Sequence, residues 1–156
     1  YIINLQGDEP LIDSKSLDKI VSMISILKEK EDTIISGVAP INSEEAFDPN
    51  NVKCALINNC SKIQYLSRKP LLNNIDEEKK KSYFKQLGLY AMSIKNLNRF
   101  SKMKKGELET AEKVELLRWI ENGFELKACL IKKETISVDT PNDLVKAIAL
   151  VNQKNK

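Results

Sequence analysis

Two aspartates that stand far apart in this chain each follow a short apolar segment. Asp8 follows residues 1–5 and belongs to the segment Gln-Gly-Asp-Glu-Pro at 6–10. Asp139 follows residues 136–138. Branched apolar runs of this kind predict buried strands, and ligands bind beyond the carboxyl ends of strands in open α/β sheets. A carboxylate there can hold a divalent metal against phosphate groups, or it can form only a turn that leads into a helix.

Helix and strand patterns predict how the first aspartate is positioned. Apolar residues recur at helical spacing from residue 13 or 14, where Asp13 or Ser14 can cap the helix, to about residue 30. A strand is predicted at 34–39, ended by Pro40. Together with residues 1–5, this order suggests a right-handed strand–helix–strand unit whose two strands pair in parallel.

The rest of the chain also alternates between strand and helix patterns. Asn-Asn-Cys-Ser at 58–61 predicts a hairpin turn, in an arm or subdomain that leaves the main sheet. The other predicted elements are a strand at 83–92, one helix at 108–122 ended by Gly123, strands at 124–131 and 135–138, and a helix from Pro141 to about 151. Thr140 and Asp143 have the spacing of a capping box at the start of that last helix.

Composition excludes several kinds of chemistry. The 156 residues include no histidine, which rules out a Ser-His-Asp or Cys-His mechanism within this chain. Three cysteines without a C-x-x-C pair argue against a disulfide scaffold or a zinc site and favour a reducing, cytoplasmic setting. The net charge of +3 does not predict nucleic-acid binding, and no apolar run is long enough to predict a membrane span.

From residue 1 to about 145, the chain resembles the cytidylyltransferases that activate 3-deoxy-manno-octulosonate (Kdo). The segments that carry the resemblance, in the family's order, are residues 6–10, 43–53, 65–68, 87–91, 108–123 and 138–144. The resemblance implies a three-layer α/β/α nucleotidyltransferase-like fold around a mixed sheet. It also implies that residues 1–156 are one truncated domain, in which the hairpin-rich region at about 41–83 serves sugar binding and dimerisation.

The implied reaction transfers CMP from CTP to a Kdo-like 2-keto-3-deoxy sugar acid and releases pyrophosphate. The resemblance assigns Asp8 and Asp139 as catalytic residues that hold Mg²⁺ beside the nucleotide. It implies a homodimer whose substrates are CTP and a sugar acid, and whose product serves lipopolysaccharide or capsule synthesis. Such transfers depend on positioning and charge neutralisation more than on covalent catalysis.

Five further residues match family positions that contact the sugar or line its pocket. They are Gln6, Arg68, Gln86, Tyr90 and Glu109. Arg68 can form a fork-like pair with the sugar's carboxylate, although a surface salt bridge is an equally good interpretation. Tyr90 can line the pocket, although an aromatic residue in a central strand is more often a core residue, and Glu109 can complement the dipole at the start of its helix.

Two positions depart from the family pattern. Gln86 stands where the family usually has histidine, and Leu116 stands where it usually has glutamine. A different sugar acid, for example an amino-substituted one, therefore remains an alternative, as does a non-catalytic module that binds a sugar or dimerises. Nothing in the chain matches the basic Gly- and Pro-containing loop with which the family begins, so we expect the N-terminal nucleotide-binding part to be missing and the chain alone to have little activity.

Overall fold

A computed structural model describes residues 1–27, 32–71, 83–131 and 136–154. The strands are β1 (Ile2–Leu5), β2 (Thr33–Ile41), β3 (Lys53–Ile57), β4 (Lys62–Ser67), β5 (Tyr83–Met92) and β6 (Glu125–Leu130). The helices are α1 (Ser14–Ile26), α2 (Ser43–Phe47), α3 (Ile94–Phe100), α4 (Glu107–Glu112), α5 (Leu116–Glu121) and α6 (Pro141–Lys154). The strands form one six-stranded sheet in the order β1-β5-β2-β6-β4-β3.

The sheet is mixed and is covered on both faces. Strands β2 and β6 are parallel, whereas the other pairs are antiparallel. Side chains alternate across a strand, so Ile34 packs into the core cluster that contains Trp119, while Ile35 packs into the one that contains Ile20. Helix α1 supplies the second cluster and α5 the first, which confirms the predicted three-layer α/β/α architecture.

The predicted parallel pairing of β1 with β2 is wrong. Strand β5 lies between them and pairs antiparallel with each, so β1 and β2 run in the same direction without touching as neighbours. Local patterns cannot reveal this, because β5 comes from a part of the chain more than forty residues further on. Its long apolar run suits a central strand that is buried on both faces.

The ends of two elements differ from the prediction. Asp13, rather than Ser14, caps α1 by accepting a hydrogen bond from the Ser16 amide at 2.8 Å, and the helix ends at Ile26 rather than near residue 30. Strand β2 continues through Pro40 to Ile41. Pro40 lies beyond Val38, the last residue of β2 that pairs with β6, so it occupies what is locally an edge position, where proline is tolerated.

The predicted hairpin is present, but it does not leave the sheet. Strands β3 and β4 pair with each other, and β4 also pairs with β6 while β3 meets β5 at one position. The turn places Asn58, Asn59 and Cys60 at positive φ, a conformation that asparagine tolerates better than most residues. Helix α2 was not predicted; Asn42 and Glu45 form the capping box that begins it.

The predicted single helix at 108–122 is two shorter helices, α4 and α5, separated by residues 113–115. Lys113 adopts the left-handed conformation (φ 55°) and ends α4, and α5 begins at Leu116. Gly123 ends α5 at φ 79°, as predicted. The break matters for function because it presents the backbone and side chains of residues 113–116 as a corner rather than as one face of a straight helix.

The segment before α6 is irregular where a strand was predicted. Residues 136–138 have no strand pairing, and residue 135 lies outside the described residues. Thr140 and Asp143 form the predicted capping box, with the Asp143 amide donating to Thr140 Oγ1 at 3.3 Å and the Thr140 amide donating to Asp143 Oδ2 at 3.0 Å. Among the apolar side chains of α6, Ala147 is buried, whereas Leu144, Ile148 and Val151 are exposed.

Candidate active site

A polar cleft of about 230 Å³ opens where β1, β5 and the segment before α6 meet. It is lined by Gln6, Asp8, Glu9, Asn50, Asn51, Val52, Arg68, Lys85, Gln86, Gly88, Tyr90, Lys113, Val114, Glu115, Leu116, Ser137 and Asp139. These residues come from six separate parts of the chain. All of the residues predicted to act on substrate or metal line this cleft except Glu109.

Main-chain and side-chain hydrogen bonds bring the two predicted aspartates together. The Val138 amide donates to the Asp8 carbonyl at 2.8 Å, which fixes the residue before Asp139 against the loop after β1. The buried Glu9 carboxylate adds a second link, because its Oε1 accepts from the Gly88 amide at 3.0 Å and from Ser137 Oγ at 2.8 Å. The loop after β1, the strand β5 and the segment before α6 are thus held as one unit.

The two aspartates create a local excess of negative charge. Partial desolvation raises the pKa of the Asp139 carboxyl, and the negative charges of Asp8 and Asp143 raise that pKa further. Lys85 and Arg68 act in the opposite direction but do not cancel the effect. Asp8 Oδ1 is buried and accepts no hydrogen bond from any residue in the described part of the chain.

These features fit a divalent cation. Asp8 presents an oxygen that accepts no hydrogen bond from a described residue, and the charged form of Asp139 beside it is disfavoured. A bound divalent cation would stabilise both groups. Within residues 1–27, 32–71, 83–131 and 136–154, no group of three or more acidic, cysteine or histidine side chains is arranged to hold a metal. Asp8 and Asp139 are a pair of the kind that would hold Mg²⁺, which keeps several waters and takes further oxygens from substrate phosphates.

The amide and phenol groups of the cleft are positioned by β1 and β5. Tyr90 Oη donates to Glu115 Oε1 at 2.8 Å and accepts from Asn4 Nδ2 at 2.6 Å. Burial and the hydrogen bond to Glu115 raise the pKa of Tyr90 to about 12, so the phenol stays protonated near neutral pH. The Gln6 side chain lies directly over Gly88, where a Cβ would come within 2.6 Å of Gln6 Oε1.

Arg68 lines the cleft, but its guanidinium is already engaged with the backbone. It donates to the carbonyl oxygens of Glu112 and Pro49, both at 3.0 Å, and to that of Lys113 at 3.4 Å. The Arg68 amide also donates to the Glu112 carboxylate at 2.9 Å. These bonds tie the end of β4 to the corner between α4 and α5, so much of the donor capacity of Arg68 is spent on shaping the cleft.

Glu109 lies outside the cleft, unlike the other predicted residues. It is buried and accepts two hydrogen bonds from Arg118, at 2.5 and 2.6 Å. Those hydrogen bonds lower the pKa of Glu109 and outweigh the opposing effect of burial. Glu115 occupies the position next to Tyr90 instead, because the break at Lys113 turns residues 113–116 towards the cleft.

Sequence reasoning missed four ionisable residues of the cleft, namely Glu9, Lys85, Lys113 and Glu115. Glu9 is adjacent to Asp8 in the motif, and Glu115 directly precedes Leu116, which was singled out. Lys85 had the clearest signal, because a lysine inside an otherwise apolar strand must either pair with an acid or open on a site.

A buried lysine also shapes the rim of the cleft. Lys53 is 1% exposed, and its ammonium donates to the carbonyl oxygens of Asp48 at 2.9 Å, Asn51 at 2.6 Å and Arg68. Burial lowers its pKa. These three bonds hold the turn that carries Asn50 and Asn51 against the end of β4.

Comparison with known proteins places this chain in a family. A family model described as cytidylyltransferase matches residues 1–136. The chain belongs to the cytidylyltransferase family. It is 37% identical over its whole length to a 3-deoxy-manno-octulosonate cytidylyltransferase of Rickettsia prowazekii (strain Madrid E), of which it covers 60%. It is also 36% identical, over 92% of its length, to an 8-amino-3,8-dideoxy-manno-octulosonate cytidylyltransferase of Shewanella halifaxensis (strain HAW-EB4), of which it covers 58%.

Solved structures agree with this assignment. A CMP:2-keto-3-deoxy-manno-octonic acid synthetase in complex with CTP superposes with a TM-score of 0.84 at 29% identity, covering 97% of this chain and 61% of that one. An apo UDP-glucose pyrophosphorylase matches with a TM-score of 0.61 at 13% identity, which shows a shared fold. This cytidylyltransferase chain thus spans about 60% of the length of the relatives that it matches. No helix in the described residues is both long and apolar enough to span a membrane.

Proposed function

We propose that this chain forms the sugar-acid side of an enzyme that transfers CMP from CTP to a Kdo-like 2-keto-3-deoxy sugar acid. In this reaction the anomeric oxygen of the sugar forms a bond to the α-phosphorus, the α–β phosphoanhydride bond breaks, pyrophosphate leaves, and the hydroxyl proton passes to solvent. The observation that supports the proposal most is the meeting of Asp8 and Asp139 in one polar cleft, tied by the hydrogen bond from the Val138 amide to the Asp8 carbonyl.

The chain's own residues bind and orient the sugar. Gln6, Gln86 and the amides of Asn50 and Asn51 offer donors and acceptors suited to hydroxyl groups. The bond from Tyr90 to Glu115 holds the glutamate in place. Asp8 and Asp139 are the residues that would hold Mg²⁺, which when bound polarises the reacting oxygens and shields the repelling anions.

The proposal extends to the setting of the enzyme. We propose a homodimer in the cytoplasm that uses Mg²⁺ and whose product enters lipopolysaccharide or capsule synthesis. The sequence identity to Kdo cytidylyltransferases supports this setting.

A second candidate substrate is an amino-substituted sugar acid. Leu116 removes a polar group from the cleft that the family usually has there, and Glu115 beside it brings a negative charge. One relative of this chain is named for an 8-amino sugar acid. A substrate panel of Kdo and its 8-amino derivative separates these two candidates by the ratio of their kcat/KM values.

The decisive experiment is a chimera in which this chain replaces the matching portion of the Rickettsia prowazekii relative. We expect the chimera, supplied with CTP, Kdo and MgCl₂, to release pyrophosphate and form a CMP-sugar, whereas the 156-residue chain alone has little activity. A folded chimera that is inactive with both sugar acids, while the intact relative is active, would contradict the proposal and favour a non-catalytic sugar-binding or dimerising module.

A further inference from the structure

Lys85 is a buried strand lysine whose charge has no hydrogen-bonded partner in the described structure. The residue is only 8% exposed. It is packed in the middle of the sheet, opposite Ala39 of β2 and Lys53 of β3. Among the described residues, none accepts a hydrogen bond from Lys85 or forms an ion pair with it. The stem of Lys85 is therefore buried while its ammonium group has no hydrogen-bonded partner, which leaves that group available to a ligand.

The end of the Lys85 side chain opens on the site. Its ammonium nitrogen is not sealed from solvent, and the residue lines both the cleft and a neighbouring cavity of about 310 Å³. The two cavities also share Asp139, Ser137, Asn50 and Asn51. Lys85 therefore stands at the junction of the two cavities, with its aliphatic stem fixed by the sheet.

The other cations of the cleft are less suited to bind a substrate anion. Arg68 donates three of its guanidinium hydrogen bonds to backbone carbonyls. Lys113 is exposed at the corner between α4 and α5, where its side chain is not held by packing. Of these three, Lys85 alone combines a buried stem with an ammonium that makes no hydrogen bond to a described residue, although its charge acts on nearby Asp139.

We propose that Lys85, rather than Arg68, binds the carboxylate of the sugar acid. This inference rests on the proposed function. In a 2-keto-3-deoxy sugar acid the carboxylate and the attacking hydroxyl are attached to the same anomeric carbon. A hydroxyl placed beside Asp8 and Asp139 therefore puts the carboxylate within reach of the cation next to Asp139. The cleft also offers the amide side chains of Gln6, Asn50, Asn51 and Gln86, which suit the hydroxyl groups of a polyol.

A ligand-by-variant cycle tests the assignment directly. Binding of Kdo and of its uncharged carboxamide to the 156-residue chain is measured by titration calorimetry in the presence of Mg²⁺. We expect Lys85→Met, which keeps the stem and removes the charge, to weaken Kdo binding about 10- to 100-fold and to leave carboxamide binding unchanged. Lys85→Arg should recover most of the affinity, and the matched change of an exposed lysine, Lys102→Met, should alter neither ligand.

Kinetics of the chimera distinguish the carboxylate from a phosphate. Loss of Lys85 should raise the KM for the sugar acid and leave the KM for CTP unchanged. An increase in the KM for CTP alone, or equal losses for Kdo and its carboxamide, overturns the inference while the proposed function stands. If Lys85→Met does not fold, Lys85→Gln takes its place with the same readouts. Failure of the unsubstituted chain to bind any sugar acid overturns the proposed function and this inference together.

Discussion

Two groups of carboxylates in this molecule differ in how far neighbouring residues balance their charge. Glu109 is buried against Arg118, which donates two hydrogen bonds and lowers the pKa of that glutamate. Asp139 stands beside Asp8, and desolvation together with the charges of Asp8 and Asp143 raises its pKa. One group is neutralised within the chain, and the other keeps an uncompensated charge.

The neutralised group is built into a wider structural joint. The Arg118 guanidinium stacks over the Phe100 ring at 4.2 Å from its centroid, and the Glu121 carboxylate accepts from the Leu108 amide at 2.8 Å. Helices α4 and α5 are therefore locked together, and the corner between them carries Glu115 to the cleft. The comparison teaches that a satisfied carboxylate here serves the architecture, whereas an unsatisfied one lies in the cleft that we propose as the substrate site.

Breaking the neutralised pair should have the largest effect on stability. We expect Glu109→Leu to cost about 3–5 kcal/mol of unfolding free energy, because it leaves the Arg118 charge buried without a partner. The double variant Glu109→Leu/Arg118→Met should recover most of that loss. Urea unfolding measures both, and the exposed Glu44→Leu change should cost less than about 0.5 kcal/mol. A loss below about 1 kcal/mol for Glu109→Leu would contradict the conclusion that the Glu109–Arg118 pair stabilises the fold.

Neutralising Asp8 or Asp139 should reduce activity rather than stability. We expect Asp8→Asn or Asp139→Asn in the chimera to lower kcat/KM about 10²- to 10³-fold, since each removes charge that stabilises the reacting groups. Stability should not fall in Asp139→Asn, because the carboxylate form of this residue is disfavoured in the folded chain. Asp18→Asn on α1 is the matched control. Retained activity with reduced stability would assign these aspartates to architecture instead.

Removing a helix cap beside the site should have a smaller effect. Thr140 caps α6 immediately after Asp139. Thr140→Ala should cost about 1 kcal/mol of stability, and Thr140→Ser should cost much less because it keeps the hydroxyl. Thermal unfolding compares the two variants. Equal losses for alanine and serine would show that the threonine methyl group, rather than the cap, is what matters.

Glu109 and Asp139 should affect the pH dependence of stability in opposite directions. The pKa of Glu109 is lowered from 4.5, so its contribution is present above about pH 4.5 and is lost as the pH falls through its folded pKa. The pKa of Asp139 is raised from 3.8, so protonation favours the folded state as the pH falls towards 3.8. Relative to the unsubstituted chain, the Glu109→Leu/Arg118→Met variant should therefore be less sensitive to acid, and Asp139→Asn more sensitive. Urea midpoints between pH 3 and 7 measure both, and slopes that do not change would contradict the assignment.

Local signals predicted most of the secondary structure, and the family resemblance supplied the candidate site residues. Six of those residues, Gln6, Asp8, Arg68, Gln86, Tyr90 and Asp139, line one cleft. Glu109 lies outside that cleft and pairs with Arg118, and the predicted single helix at 108–122 is broken by the left-handed Lys113. A lysine at positive φ has no distinctive sequence signal, since glycine and asparagine are the residues expected there.

By itself, the sequence determined the family and the α/β class, because turn chemistry, apolar periodicity and motifs are local properties of the chain. It also nominated Asp8 and Asp139, which line one cleft. Only the tertiary structure decided that β5 separates β1 from β2. It also decided which charges are cancelled. Lys85 opens on the cleft because segments from distant parts of the chain line it, and Glu109 meets Arg118 because the break at Lys113 separates α4 from α5. The cost of a buried charge depends on such neighbours and not on the residue type alone.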